Sequence, residues 1–381
     1  MCGRPCKIVR WGKGRKPMDS IGDRSRTVGD ANASKTQDCL AQEVQVTAPS
    51  RLHFGLLSFG HDTGRQFGGI GMMIDHPAVR LRITKASHFV IASQVSDTCR
   101  TVPQRDDFQS LARRVGEFVS RWARFHGRAE LPACRILIED APPQHVGLGT
   151  GTQLALSVAA GLNAMHRVEK TTAVELAMSV GRGLRSAVGT YGFVQGGLIV
   201  ERGKLPGEPI APLDCRLELP APWCVVLVQP EVSSGLSGPA EQQAFAKLPP
   251  VPGNTTERLV DEIRLRTVPA AASGDFEAFS ESVYRYGRLA GQCFASIQGG
   301  PYNGPYLERL VDTIRALEVR GVGQSSWGPT LFALQPDNEA AERFQRRVRE
   351  TLAPPWPAMM TTPLNRTGAQ ITRALHRECP R

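Results

Sequence analysis

The hydrophobic pattern of the chain changes period several times, and each change marks an element. From Asp107 to Phe125, apolar side chains fall at Phe108, Leu111, Val115, Phe118, Val119, Trp122 and Phe125. Steps of three and four residues put them on one stripe of a helix, which His126 and Gly127 end. Upstream, Glu43–Val46 alternates polar and apolar residues and runs into APSRLHFG, so order begins near residue 43 with a strand. Cys134–Glu139 is an apolar run of strand length, stopped by Ala141, Pro142 and Pro143 because proline has no N–H to give a ladder. Thr152–Met165, rich in Ala and Leu and free of proline, predicts a helix; Thr171–Val180, with a threonine cap and Glu175 behind it, predicts another.

Phe193–Val200 and Trp223–Val228 predict strands, and the Pro-rich stretch Leu205–Pro222 between them suits a domain junction near residue 215. Helical patterns return at Thr255–Arg266, Asp275–Phe294, Tyr306–Val319 and Glu339–Thr351, with short strands near Thr330–Leu334 and Met359–Thr362. Residues 1–42 carry Arg4, Lys7, Arg10, Lys13, Arg15 and Lys16 without hydrophobic periodicity and read as a disordered basic tail. The expected organisation is therefore a tail over 1–42, a first domain over 43–215 and a second over 216–381, both α+β.

Composition narrows the class. With 381 residues, 41% of them hydrophobic and 22% charged, the chain fills two globular domains. No apolar run approaches the ~18 residues of a membrane span, and no secretory pattern follows the basic amino terminus. Nine cysteines without a CxxC pair read as free thiols in a cytoplasmic protein. A net charge of +10 fits nucleic acid, an anionic surface or a multiply charged substrate, and charge by itself does not choose.

The candidate chemistry sits in four glycine-rich clusters. PPQHVGLGTGT, Pro142–Thr152, follows a strand and opens a helix. Gly147, Gly149 and Gly151 permit close backbone approach, Thr150 and Thr152 add hydroxyls, and the helix N-terminus favours phosphate. This is neither a Walker loop nor a dinucleotide turn. Around it fall Arg51 and His53 in RLHFG, with Arg65 in GRQFGGIG; then Arg182, Arg185, Ser186 and Tyr191 in GRGLRSAVGTYG; then Ser325, Ser326 and Trp327 in GVGQSSWGP. Arginine forks suit phosphate and carboxylate, and an indole suits either packing or an aromatic ligand. Arg65 reads equally well as a surface ion pair, and His53 as a satisfied core residue.

The strand with APSRLHFGL, then PPxHxGLGTGTQLAL, then GQSSWGPTLFAL, resembles the GHMP superfamily of galactokinase, homoserine kinase, mevalonate kinase and phosphomevalonate kinase. Within it, RLHFG, GRxFGGIG, GLGTGTQLAL, GRGxRSAVGTYGF and QSSWGP are similar to the β-ribofuranosylaminobenzene 5'-phosphate synthases of tetrahydromethanopterin biosynthesis, over about residues 46–375. The resemblance implies a ribosomal-S5-domain-2-like N-terminal domain and a ferredoxin-like C-terminal domain. It implies that phosphoribosyl diphosphate and 4-aminobenzoate or 4-hydroxybenzoate are joined through carbon, with release of carbon dioxide and diphosphate. Magnesium is implied by the diphosphate, with Asp62 and Asp75 as weak ligand candidates; a homodimer is implied at family level.

On this reading His145, Gly147, Gly149, Thr150, Gly151 and Thr152 hold phosphate or diphosphate, with Arg182, Arg185, Ser186, Tyr191, Ser325, Ser326 and Trp327 around them. Arg51, His53 and Arg65 serve the arene carboxylate or the sugar phosphate. The alternative is a small-molecule kinase of the same fold using ATP, and a third class is a nucleic-acid binder acting through the tail. Kinases of the superfamily commonly place an aspartate in a turn after the phosphate loop. The run Ser186–Gly189 has none, and Glu175 is the only carboxylate between Lys170 and Glu201.

Overall fold

In the computed structural model, residues 7–10, 40–94, 108–168, 170–230 and 238–377 are described, and their strands pair into two sheets. The first sheet takes β1 (Lys7–Arg10), β2 (Leu40–Ser58), β3 (Phe67–Lys85), β4 (Val90–Ser93), β5 (Cys134–Asp140), β6 (Leu198–Glu201) and β7 (Leu213–Leu217). The second takes β8 (Cys224–Gln229), β9 (Val322–Gln324), β10 (Leu331–Gln335) and β11 (Ala358–Pro363), and β12 (Gln370–Arg377) carries the chain back to the first. Strand order is β1-β4-β5-β3-β2-β12 in the first, with β6 on β3 and β7 on β6, and β11-β8-β10-β9 in the second.

The helices are α1 (Phe108–Phe125), α2 (Thr150–Met165), α3 (Ala173–Ser179), α4 (Val188–Gln195), α5 (Gly238–Lys247) and α6 (Gly253–Glu262). A π-helical turn, Ile263–Thr267, joins α6 to α7 (Val268–Ser273); then come α8 (Phe276–Gln292), α9 (Ala295–Gln298), α10 (Pro305–Ala316) and α11 (Asn338–Thr351).

Most of the apolar stripe read on α1 is buried: Leu111, Val115, Phe118, Val119 and Trp122 join Ile83, Ile136 and the buried face of α2 in one core, while Phe125 at the helix end is exposed. The Trp122 indole N–H donates to Asn163 Oδ1 at 2.7 Å, so the one polar group on that ring is satisfied where water is excluded. A second core lies at the junction of the two sheets, where Leu52, Phe54, Ile70 and Met72 meet Phe279, Val283, Tyr286 and Phe332. A third, with Val311, Ile314, Phe344 and Val348, covers the other face of the smaller sheet.

Several expectations are corrected. Phe193–Val200 is not one strand: α4 runs to Gln195, and β6 begins at Leu198. Glycines at 189 and 192 let this helix lie on the sheet, and a Cβ on Gly192 would sit 2.2 Å from Met73 Sδ. The expected threonine cap of α3 is Thr172, in a reciprocal capping box with Glu175. Order starts before residue 43, since β2 begins at Leu40 and Lys7–Arg10 pairs with β4; the rest of the basic tail lies outside the described residues. The boundary near 215 falls inside β7, and β12 pairs antiparallel with β2, so the last strand packs with the first domain. Among the described residues no helix is long and apolar enough to cross a membrane, and Cys134, Cys215, Cys224 and Cys293 are free.

Candidate active site

The strand β5 delivers the chain into the glycine loop, and α2 starts where the loop ends. Gly149 stands just before the helix at φ 73°, a left-handed conformation that a β-carbon disfavours. Gly147 is needed for a different reason: a Cβ there would lie 2.2 Å from the Ser325 carbonyl oxygen. The loop is thus pressed against the β9–β10 connection, with no room for a side chain between.

Three hydrogen bonds lock that junction. The Ser325 hydroxyl donates to the Gly147 carbonyl at 2.7 Å and accepts the His53 peptide N–H at 3.1 Å, while the Ser326 N–H donates to the His53 carbonyl at 3.0 Å. From β2, the Arg51 N–H donates to the Leu148 carbonyl at 3.0 Å and its guanidinium to the Gly147 carbonyl at 3.3 Å. A register shift between His53 and Gly55 in the β2–β3 pairing lies at this point, and such irregularities re-aim side chains beside functional sites.

The result is a cavity of about 840 Å3 between the two sheets. Of the residues singled out in the sequence, it gathers Arg51, His53, His145, Gly147, Gly149, Thr150, Gly151, Thr152, Arg182, Arg185, Ser186, Ser326 and Trp327. Three fall elsewhere. Arg65 donates to both oxygens of Glu208, at 2.9 and 3.1 Å, and to the Gly203 carbonyl, and it lines a separate cavity of about 360 Å3. The Tyr191 hydroxyl donates to the Ala211 carbonyl at 3.0 Å inside the first core. Ser325 is fully buried and acts as the strut described above. Thr150 lines the cavity, but its hydroxyl donates to the Pro143 carbonyl at 3.0 Å and so braces the loop instead of offering a donor outward.

One arginine that sequence reasoning missed joins the glycine loop. Arg114, from α1, brings Nη2 to within 2.4 Å of where a Cβ on Gly151 would stand, and Arg182 Nη2 lies 3.6 Å from the same point. Two guanidinium groups therefore converge on the first turn of α2, where unsatisfied N–H groups and the positive end of the helix dipole already favour an anion. Gln144 lines the same wall. Arg114 carries no local sign of this role, since it occupies one polar position on an otherwise ordinary amphipathic helix.

Another part of the lining is aromatic. The Trp327 ring meets Phe294 at 5.0 Å and Phe245 at 5.6 Å, both edge-on, and the Arg185 guanidinium stands 4.4 Å from the Phe245 ring centroid. Trp327 packs in an apolar cluster with Leu56 and Phe59 and also lines the cavity.

A further residue missed in the sequence is Glu201, the last of β6, fully buried behind the cavity wall. It accepts the Ala187 N–H, at the start of the same Ser186–Gly189 turn that lacks a carboxylate in sequence. Burial pushes its carboxyl up to about 7, opposed by hydrogen bonds from Ser186 and Ala187 and by the Arg51 charge. In front of it the His53 Nε2 and Ser186 Oγ are 3.0 Å apart. Burial, and secondarily the Arg51 charge, hold His53 well below its usual value, so the imidazole is neutral at pH 7.

Comparison with known proteins agrees with this architecture. Residues 111–197 match the family described as GHMP kinases N terminal domain and residues 267–353 that described as GHMP kinases C terminal. Beta-ribofuranosylphenol 5'-phosphate synthase of Methanothermobacter thermautotrophicus is 30% identical over 315 residues, covering 78% of this chain and 91% of the relative. The chain belongs to this synthase family. The synthase of the same name from Archaeoglobus fulgidus is 27% identical over 322 residues, 81% of this chain and 93% of its own. The GHMP fold itself recurs in mevalonate diphosphate decarboxylase from Staphylococcus aureus, with a TM-score of 0.60 and 11% identity over 87% of this chain and 98% of that one. It recurs also in homoserine kinase from Cytophaga hutchinsonii, with a TM-score of 0.57 and 14% identity over 90% and 100% of the two chains.

Proposed function

We propose that this enzyme joins phosphoribosyl diphosphate to a 4-substituted benzoate through carbon, releasing carbon dioxide and diphosphate. The observation that carries the reading is the make-up of the cavity lining, which joins Arg114 and Arg182 over the first turn of α2 with the aromatic rings of Phe245, Phe294 and Trp327. A phosphorylated sugar and a flat aromatic acid together need such a pair of surfaces.

In the proposed sequence the C1'–oxygen bond to diphosphate breaks as the ring carbon bearing the carboxylate attacks C1'. Loss of carbon dioxide from that carbon then restores aromaticity. The α2 N-terminus and its two arginines stabilise the leaving diphosphate, and the aromatic wall holds the ring against the sugar. The name of the relatives, a ribofuranosylphenol phosphate synthase, supports 4-hydroxybenzoate over 4-aminobenzoate and a place in tetrahydromethanopterin assembly.

Magnesium fits this cavity poorly as a protein-held ion. Its lining includes no Asp or Glu, the described residues form no cluster of three metal-ligating side chains, and Asp75 is taken up by Asn365 at 2.8 Å. Asp62, like Asp75, is not among the lining residues. Any magnesium would be brought by the diphosphate itself. The missing lining carboxylate also disfavours the kinase alternative, which needs a group to activate an alcohol.

Incubation with phosphoribosyl diphosphate, magnesium and carboxyl-labelled 4-hydroxybenzoate or 4-aminobenzoate tests the proposal. Labelled carbon dioxide is the expected product; none from either arene would sink it, and alcohol-dependent conversion of ATP to ADP would install the kinase. Cytoplasmic location and a homodimer complete the proposal, the latter checked by sedimentation.

A further inference from the structure

The reading above leaves Glu201 without a task, although a buried carboxylate is costly unless something requires it. Its surroundings are specific. Oε2 accepts the Ala187 N–H, and Oε1 is buried with no partner of ordinary geometry. The Ser186 hydroxyl is near enough to draw the carboxyl down by hydrogen bonding, so the open Oε1 position is within reach of its rotation. Ser186 Oγ in turn stands 3.0 Å from His53 Nε2, and both Ser186 and His53 line the cavity while Glu201 does not. The three groups form a line from this cavity to the smaller one, whose lining includes Glu201.

We propose that Glu201 is the proton store of this site: through Ser186 and His53 it accepts the proton of the arene hydroxyl and returns it after carbon dioxide has left. The inference rests on the synthase reading. A phenol pushes electrons into its ring far better as phenolate. The proton moves from the hydroxyl to the carboxylate, and the ring carbon para to that oxygen then attacks C1' as the diphosphate bond breaks. The electron pair of the breaking bond to the carboxylate returns to the ring, regenerating phenolate, which takes its proton back. Nothing is consumed beyond the established substrates. An arylamine already carries a free electron pair and needs no such loan, so the device is built for a hydroxyarene.

The groups facing Glu201 are consistent with a store that titrates near neutrality. From β2, Arg51 favours its charged form; from α8 and α4, Tyr286 and Tyr191 stay protonated, both raised chiefly by burial. On the side of the smaller cavity stand Arg65, Arg202, Asp214 and Arg264, with Arg65 paired to Glu208 and Arg202 to Asp214.

The test is Glu201→Gln in the full-length enzyme, with Ser186→Ala as a second variant that leaves the carboxylate in place. With 4-hydroxybenzoate near pH 7, each is expected to lose about 100-fold in kcat, the lower end of general acid–base catalysis. The loss should shrink as pH rises toward the phenol's own ionisation, and it should be about tenfold smaller with 4-aminobenzoate where the wild type accepts that arene. An equal loss at every pH, or with both arenes, would make Glu201 merely structural and overturn the proposal. So would a wild type that uses only 4-aminobenzoate. A wild type inactive with both arenes fails the synthase reading itself, which the labelled carbon dioxide assay registers before any variant is made. If Glu201→Gln does not fold by circular dichroism, the pH-dependence of Ser186→Ala decides.

Discussion

The Ser325 hydroxyl reaches the Gly147 carbonyl at 2.7 Å across 178 residues of sequence, and the same oxygen takes the peptide N–H of His53. One buried hydroxyl therefore ties the glycine loop, β2 and the β9–β10 connection together. Ser325→Ala leaves both partners without it, which costs about 1–3 kcal/mol for each buried group left unsatisfied. Urea unfolding should show a lower midpoint with unchanged slope, and the Michaelis constant for phosphoribosyl diphosphate should rise because the loop is no longer braced. A variant with wild-type values for both would remove Ser325 from this role.

Arg114 is expected to bind the departing anion. A charge-assisted hydrogen bond contributes roughly 1.5–3 kcal/mol, so Arg114→Met should weaken phosphoribosyl diphosphate binding by about 10- to 100-fold. The Michaelis constant for the arene should stay close to wild type. Steady-state titration of each substrate at saturating levels of the other separates the two, and an effect confined to the arene would reverse this assignment.

The aromatic wall gives an optical readout. If the arene lies against Trp327, its binding should quench tryptophan fluorescence in wild type, and the quench should disappear in Trp327→Phe while some affinity survives. Phe294→Ala should raise the arene Michaelis constant by about 5- to 20-fold, as expected for loss of an aromatic contact of 0.5–1.5 kcal/mol together with its apolar area. Quenching that persists in Trp327→Phe would place the ring elsewhere.

His53 and Glu201 bias stability in opposite directions with pH. Buried neutral, His53 does not take the proton that the unfolded chain takes below about 6.5, so its contribution is present above that value and lost as pH falls. Glu201, raised from 4.5 to about 7, holds a proton in the native state that the unfolded chain gives up, so its contribution is full below 4.5 and lost as pH rises toward 7. Over the window from 4.5 to 6.5 the two oppose each other. Glu201→Gln should therefore lose more stability than wild type on acidification, and His53→Gln should lose more on moving from 4.5 to 7. Melting temperatures across this range check both, and parallel profiles for all three proteins would contradict the assigned directions.

What the sequence determined by itself was local. The α1 stripe, the strand Cys134–Asp140, the loop at Pro142–Thr152 and the helix after it were readable because period, proline and glycine act on near neighbours. The clustering of Arg51, His53, Arg182, Arg185 and Ser186 around that loop was legible through motif order. Where glycines replaced the usual helix formers, the same reasoning turned α4 into a strand, since only contact with Met73 on β3 reveals why small residues stand there.

The tertiary structure alone decided the rest. Long strands β2 and β3 pair along most of their length, and that pairing sends Arg65 into an ion pair with Glu208 on the smaller cavity while Arg51 and His53 face the larger one. Arg114 arrives from a helix and Glu201 from a strand, neither with a motif of its own, and β12 returns from the end of the chain to β2. Propensity and periodicity report how a segment folds on itself. Convergence of charges on one point depends on how distant segments pack, and no local pattern carries that.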